Sequence, residues 1–262
     1  MDNDDITIGR VLSRREALTL LGTAGVGILA TRASGQVNAN ASALTADRSS
    51  LTPAFAHPSG LPACVVRPQQ TEGPYYVDGT LNRSDIRSEP GTGTVVPGTL
   101  LALEFRVSRV GSGSCTPLTG VLVDIWQCDA LGIYSGVRDT GGLFDTTGQK
   151  FLRGHQVTDA SGVARFATVY PGWYQGRAVH IHFKIRTSTA TTRALEFTSQ
   201  LYLDDAVTAE VLKRAPYAQK GTAGWIRNER DGIYRRGGKE LMLVTSKTDA
   251  GYSGAFDIGL QL

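Results

Sequence analysis

Apolar and polar residues alternate with period two along much of the chain beyond residue 100. "TLLALEFRV" sets Leu101, Leu103, Phe105 and Val107 against smaller or polar neighbours, and "GVLVDIWQC" sets Val121, Val123 and Ile125 against Leu122, Asp124, Trp126 and Cys128. Successive side chains of a strand point to opposite faces, so this period predicts half-buried strands. "GVARFATVY", "VHIHFKI", "TSQLYLDD", "KELMLVTS" and "AFDIGLQL" read the same way, and "SEPGTGTVVPG", "TDASG", "YPGWYQG" and "DAGYSG" supply turns between them. Many short strands at this spacing predict an all-β fold, an antiparallel sandwich or barrel with few short helices. One or two helical turns are expected after Asp205, in "DAVTAEVLKRAPYA". There is no internal repeat and no low-complexity block. The Gly-rich loops lack the strand–GxGxxG–helix context of a nucleotide site.

The first residues break this pattern. A polar stretch ends in Ser13-Arg14-Arg15, a short apolar run follows from Leu18 to Ala30, and small residues at Ala39, Ala41 and Ala43 offer cleavage sites. That layout predicts a signal peptide over 1–43, of twin-arginine type because of the paired arginines. An amphipathic N-terminal helix is the plainer reading. The run is short for a membrane span. Residues 44–60 read as a linker, and 61–262 as one domain. The expectation is an exported protein, periplasmic or extracellular, delivered folded by the twin-arginine machinery with its cofactor loaded.

Composition narrows the partners. Of 262 residues 41% are hydrophobic and 19% charged, and the net charge is +3. With no Lys/Arg cluster interleaved with aromatics, nucleic acid is not an expected partner. Three cysteines without a CxxC pair argue against a structural zinc site. In an oxidising compartment a disulfide is allowed. Cys115 and Cys128, flanking a turn, are the preferred pair and leave Cys64 as a free thiol.

The chemistry concentrates in "GRAVHIHFKI", residues 176–185. On a strand, Val179, Ile181, Phe183 and Ile185 share one apolar face, and His180 and His182 share the other with Ala178 and Lys184. Two imidazoles on one face could reach one metal ion, or could simply face water. Tyr174 lies six residues before His180, beyond a Pro-Gly turn that folds the chain back, and Tyr134 lies in a Gly-containing loop after a strong strand. A phenol ionises near pH 10, so a tyrosine ligand calls for a strongly Lewis-acidic ion, for which Fe(III) is the natural candidate. A tyrosine in such a loop also serves as an amphipathic cap on a core.

Taken together, "IWQCDALGIY" and "YPGWYQGRAVHIHF" resemble the two signature segments of the intradiol ring-cleavage dioxygenases, the family of catechol, hydroxyquinol and protocatechuate dioxygenases. "QTEGPYY" at 70–76 resembles the segment lining their substrate pocket, and "FTSQLYLDD" the strand after the histidine pair. The resemblance runs in order from about 70 to 205. It implies an intradiol-type β-sandwich holding one Fe(III) per chain, with Tyr134 and His180 as equatorial ligands and Tyr174 and His182 as axial ones. It implies Arg177 as the catalytic arginine, Gln200 beside the iron, and Thr71, Pro74 and Tyr75, with Arg177, at the substrate pocket. The activity implied is cleavage of a catechol-type ring between its two hydroxylated carbons with O₂, giving a cis,cis-muconate-type product. Tyr174 would take a substrate proton as it leaves the metal.

The sequence also departs from that family. The Tyr174–His180 segment is short compared with the cytoplasmic members, and the long N-terminal helical region that builds a dimer interface is lacking, which suggests a compact exported branch. Oligomeric state stays open. His155 is expected to hydrogen-bond locally, Asp124 and Asp129 to be strand-edge and turn residues, and Trp126 to anchor the core. Two other functions compete. A carbohydrate- or aromatic-binding β-sandwich module would have no reason to pair the tyrosines with His-x-His. A zinc hydrolase would need a third ligand and a general base, with Glu196 the nearest candidate.

Overall fold

The computed structural model describes residues 65–111, 114–187 and 195–261. The expectations for 1–43, for 44–60 and for Cys64 fall outside them. Among the described residues nine strands build two layers. The first sheet holds β1 (Leu100–Gly111), β2 (Ser114–Pro117), β5 (Val163–Val169), β8 (Thr245–Lys247) and β9 (Gly251–Leu260). The second holds β3 (Leu122–Trp126), β4 (Arg153–Val157), β6 (His180–Arg186) and β7 (Glu196–Tyr202), in the order β4-β3-β6-β7. One α-helix, α1 (Asp205–Leu212), follows β7, and Asp204 caps it by accepting from the amides of Ala206 and Val207.

The inner faces meet at Phe105 of β1 and Phe183 of β6, whose ring centroids are 5.2 Å apart, with Phe166 and Phe256 packed around Phe105. Val179, Ile181, Phe183 and Ile185 all lie in this core, as the alternation predicts. The other face of β6 is buried as well: His180, His182 and Lys184 are each no more than 4% exposed. It is not a face open to water. Loops from the strand ends roof it, so the second sheet is covered on both sides.

Four details differ from the sequence expectation. The first sheet is mixed, because β1 pairs with β9 in parallel over ten residues while β2 and β5 line its other edge antiparallel. Period two reports which side chains share a face and carries no information on partner or direction. "KELMLVTS" is not one strand but a 3₁₀ turn, Gly238–Leu241, followed by the short β8. Gly237, at φ 105°, redirects the chain there, and Leu241 and Leu243 both fill the core. Asp124 is not at a sheet edge. It sits in β3 between β4 and β6, fully buried, and pairs with Arg186.

The fourth concerns the disulfide. Cys115 is disulfide-bonded, but Cys128 is a free, buried thiol. Cys115 lies opposite Val110, near the end of β1. Cys128 follows Gln127, whose amide bonds the carbonyl of Val169, itself opposite Leu100 at the start of β1. Ten residues of strand at about 3.3 Å each separate the two ends, far beyond the reach of an S–S bond. Burial pushes the Cys128 thiol up to about 12.

Candidate metal centre

His180 and His182 are projected from β6 on the face away from the core. Strand register aligns them with the rest of the site. His182 stands opposite Trp126 of β3 and Gln200 of β7, and His180 stands opposite Tyr202. His180 Nδ1 bonds the carbonyl of Ala178 at 2.6 Å, which places the proton on Nδ1 and leaves Nε2 a lone pair. The two Nε2 atoms lie 3.0 Å apart. His182 stacks on Trp126, ring centroids 5.0 Å apart and 7° from parallel. Its far edge meets Gly73, where a Cβ would stand 3.2 Å from Cε1; Gly73 also has φ +73°, a region that disfavours any side chain.

Burial, reinforced by Arg177, pushes the His180 pKa down to about 3. His182 is driven well below its usual range by burial and by His180. Both imidazoles are therefore neutral, the form that ligates metals. The Tyr134 hydroxyl lies 3.4 Å from His180 Nε2 in the same enclosed space. Burial raises the Tyr134 phenol far above its ordinary value, against the pull of Arg177 and Arg153.

Tyr174 is half-buried on the open side. Its ring meets that of Tyr134 edge-on at 5.9 Å, and its hydroxyl bonds the Tyr75 hydroxyl at 2.6 Å. Tyr75 in turn donates to Asp139 Oδ1 at 2.5 Å. That bond, with the Leu143 amide, holds the Asp139 carboxyl below its usual range. Arg177 is clamped between two acceptors: its Nε donates to Asp231 at 2.9 Å and its Nη2 to Gln200 Oε1 at 2.6 Å. Gln200 Nε2 donates to the Thr71 carbonyl at 2.9 Å, tying the 71–75 loop to β7.

A model of the family described as "Dioxygenase" matches residues 71–221. The stretch spans the tyrosines, both histidines, Arg177 and Gln200. The chain belongs to the intradiol ring-cleavage dioxygenases. An intradiol ring-cleavage dioxygenase from Tetranychus urticae is 29% identical, with a TM-score of 0.63 over 76% of this chain and 94% of that one. The dioxygenase domain of a dioxygenase–carbohydrate-binding fusion from Streptomyces sp. SirexAA-E is 29% identical, with a TM-score of 0.53 over 76% of this chain and 99% of that one. Catechol 1,2-dioxygenase 1 of Acinetobacter lwoffii is 25% identical over 154 residues, 50% of this chain. The chain spans only about half the length of such curated relatives, 45% in that case.

Among the residues expected at an intradiol dioxygenase centre, His180, His182 and Tyr134 converge. Tyr174 is one ring away, hydrogen-bonded to Tyr75 and Asp139. Arg177 and Gln200 form one unit beside the histidines, Thr71 contributes a carbonyl, Tyr75 is buried, and Pro74 is exposed on the loop. The donor set fits a trivalent cation. Two ligands at about 2.1 Å and at right angles around one ion lie about 3.0 Å apart, the separation of the two Nε2 atoms. His182 Nδ1 is buried without a hydrogen-bond partner. Two neutral nitrogens and one or two phenols supply little charge unless the phenols ionise, which a strong Lewis acid achieves.

The competing zinc reading finds no third ligand. Among the described residues no three His, Cys, Asp or Glu side chains converge, and Glu196 pairs with Lys184 at 2.8 Å. His155, on the edge strand β4, bonds Thr80 at 3.2 Å across 75 residues of sequence rather than locally, and Asp129 forms a turn with the amides of Leu131 and Ile133. Trp126 belongs to the site rather than to the central core, packing with Tyr75, Cys128 and Tyr134. Sequence reasoning missed Asp139 and Asp231. Asp231 lies 54 residues from Arg177 in a turn-rich segment, and no local pattern marks it.

Proposed function

We propose that the protein is a non-haem Fe(III) intradiol dioxygenase that opens a catechol-type ring between its hydroxylated carbons with O₂, giving a cis,cis-muconate-type product. The observation that carries the reading is the pair of neutral imidazole nitrogens 3.0 Å apart with the Tyr134 phenol 3.4 Å from one of them, all buried. Tyr134, Tyr174, His180 and His182 would hold the ferric ion. When bound, that ion supplies Lewis acidity and the electron-accepting character that lets a chelated catecholate react with O₂.

The chain's own residues supply the rest. A catechol binding through both oxygens releases two protons. Tyr174 is the nearest phenol on the open side: as the phenoxide that would hold the ion it can take one proton, and its hydroxyl can relay the other through Tyr75 to the Asp139 carboxylate. Arg177, held by Asp231 and Gln200, presents a fixed guanidinium to negative charge developing on the substrate. The histidines orient, and the stacked Trp126 and the 71–75 loop exclude water. We also propose that the enzyme works outside the cytoplasm, supported by the signal-like pattern of residues 1–43.

A visible spectrum of the iron-loaded protein tests the reading. A broad tyrosinate-to-iron charge-transfer band, shifting on anaerobic addition of catechol, is the expected result. A colourless protein after iron reconstitution would overturn it.

A further inference from the structure

A cavity of about 270 Å³ opens on the outer side of Tyr174, lined by Leu131, Ile133, Leu143, Phe144, Trp173 and Lys220 among others. Its walls are aliphatic and aromatic, and its lip is the Leu143 side chain, left 71% exposed. Leu143 therefore adds an apolar edge to the mouth of a cavity whose lining is mostly apolar. A cavity of roughly 150 Å³ suffices for a benzene ring, so there is room for a substantial substituent.

The cavity and the metal centre share Tyr174 as a wall, and Ile133 in its lining precedes Tyr134 in the chain. The lining is built, not accidental. Gly132, at φ +82°, brings the 131–133 turn so close that a Cβ would stand 2.3 Å from both Lys220 Nζ and the Trp173 carbonyl. Lys220 is the one cation in the lining. It lies over the Trp173 ring at 4.1 Å and donates to the carbonyls of Leu131 and, at 3.0 Å, Trp173. An ammonium has three donors, and these two bonds leave one. Among the described residues Lys220 forms no salt bridge; burial lowers its pKa, and the Asp129 carboxylate acts on it only at longer range, in the opposite direction.

We infer that this cavity is a subsite for a ring substituent, and that the substrate is a catechol carrying an apolar arm that ends in a carboxylate. The arm lies along Leu131, Ile133 and Phe144, and the carboxylate takes the remaining Lys220 donor. The inference rests on the dioxygenase reading for the position of the diol, but the subsite itself does not. The Asp139 turn links the two, since Asp139 bonds Tyr75 on one side and the Leu143 amide on the other.

The test compares catechol, 4-propylcatechol and 3-(3,4-dihydroxyphenyl)propanoate as substrates of the iron-loaded full chain, alongside calorimetric titration with 3-phenylpropanoate, which has no diol. The carboxylated diol should exceed catechol in kcat/KM by about tenfold or more, and 3-phenylpropanoate should bind. In Leu143→Trp, which narrows the mouth at an exposed position, the ratio of kcat/KM for the carboxylated diol to that for catechol should fall about tenfold. In Lys220→Gln the preference for the carboxylated diol over 4-propylcatechol should disappear. Equal kcat/KM for all three diols, or ratios unchanged in both variants, would overturn the subsite. So would absence of 3-phenylpropanoate binding. Failure to turn over any diol while 3-phenylpropanoate still binds would overturn the dioxygenase reading and leave the subsite standing.

Discussion

Asp231 is the residue on which the cationic side of the site depends. One carboxylate oxygen accepts from Arg177 and from the Ala178 amide, and the other from the amides of Ile233 and Tyr234. Replacing it with alanine strands a largely buried guanidinium, a loss that costs about 3–5 kcal/mol and, for a domain of this size, roughly 10 °C in Tm by scanning calorimetry. Asp231→Asn keeps the shape but turns a donor toward Arg177, so kcat should fall more than the melting temperature does. The histidines set the acid limit. Their folded pKa values are depressed, so the unfolded chain binds more protons below the ordinary histidine value near 6.5. Stability of the metal-free protein is therefore complete above pH 6.5 and lost as pH falls toward 3, the value for His180, at up to ~1.4 kcal/mol per pH unit for each histidine. Denaturant unfolding of apo protein at pH 7, 5 and 4 checks this. A flat profile would contradict neutral burial of the pair.

At the scale of elements, β6 carries both functions of the second sheet at once: its odd-numbered residues fill the core and its even-numbered residues build the site. The separation of the two faces was legible from alternation in "VHIHFKI", but alternation left open whether the histidine face meets a site or water. The match of Tyr134 and Tyr174 to the family pattern came instead from the resemblance of "IWQCDALGIY" and "YPGWYQGRAVHIHF" to its signature segments. What closes over β6 was not legible. Gly73 looks like any loop glycine in sequence, yet its positive φ and its approach to the His182 ring make it a structural requirement. Gly73→Ala should cost about 1–2 kcal/mol in left-handed strain and displace the 71–75 loop. The expected signature is a kcat loss with a shifted charge-transfer maximum, while far-UV circular dichroism is unchanged. Trp126 anchors a buried cluster as expected, but alternation does not show that this cluster is the one beside the histidines rather than the core between the sheets.

For the whole molecule, the class of fold was legible because many short alternating segments between turn residues leave few alternatives. The mixed first sheet and the cysteine pairing were not, since both depend on which distant segments meet. Phe105, at the junction of the two layers, should lose about 3–5 kcal/mol on truncation to alanine, measured by urea unfolding. Under the proposed ferric reading, metal links the site to global stability. Chelating the iron should lower the melting temperature of wild type by several degrees, since a ligand bound only to the folded state stabilises it by mass action. In His182→Ala the same treatment should change it little.

The pairing of β1 with β9 also bears on the order of events during synthesis. The ribosome delivers β1 about 150 residues before β9, a delay on the order of ten seconds at 5–20 residues per second. Over that interval one long flank of β1 lacks β9, its pairing partner among the described residues. The nascent domain is thus open to edge-to-edge association until β9 arrives.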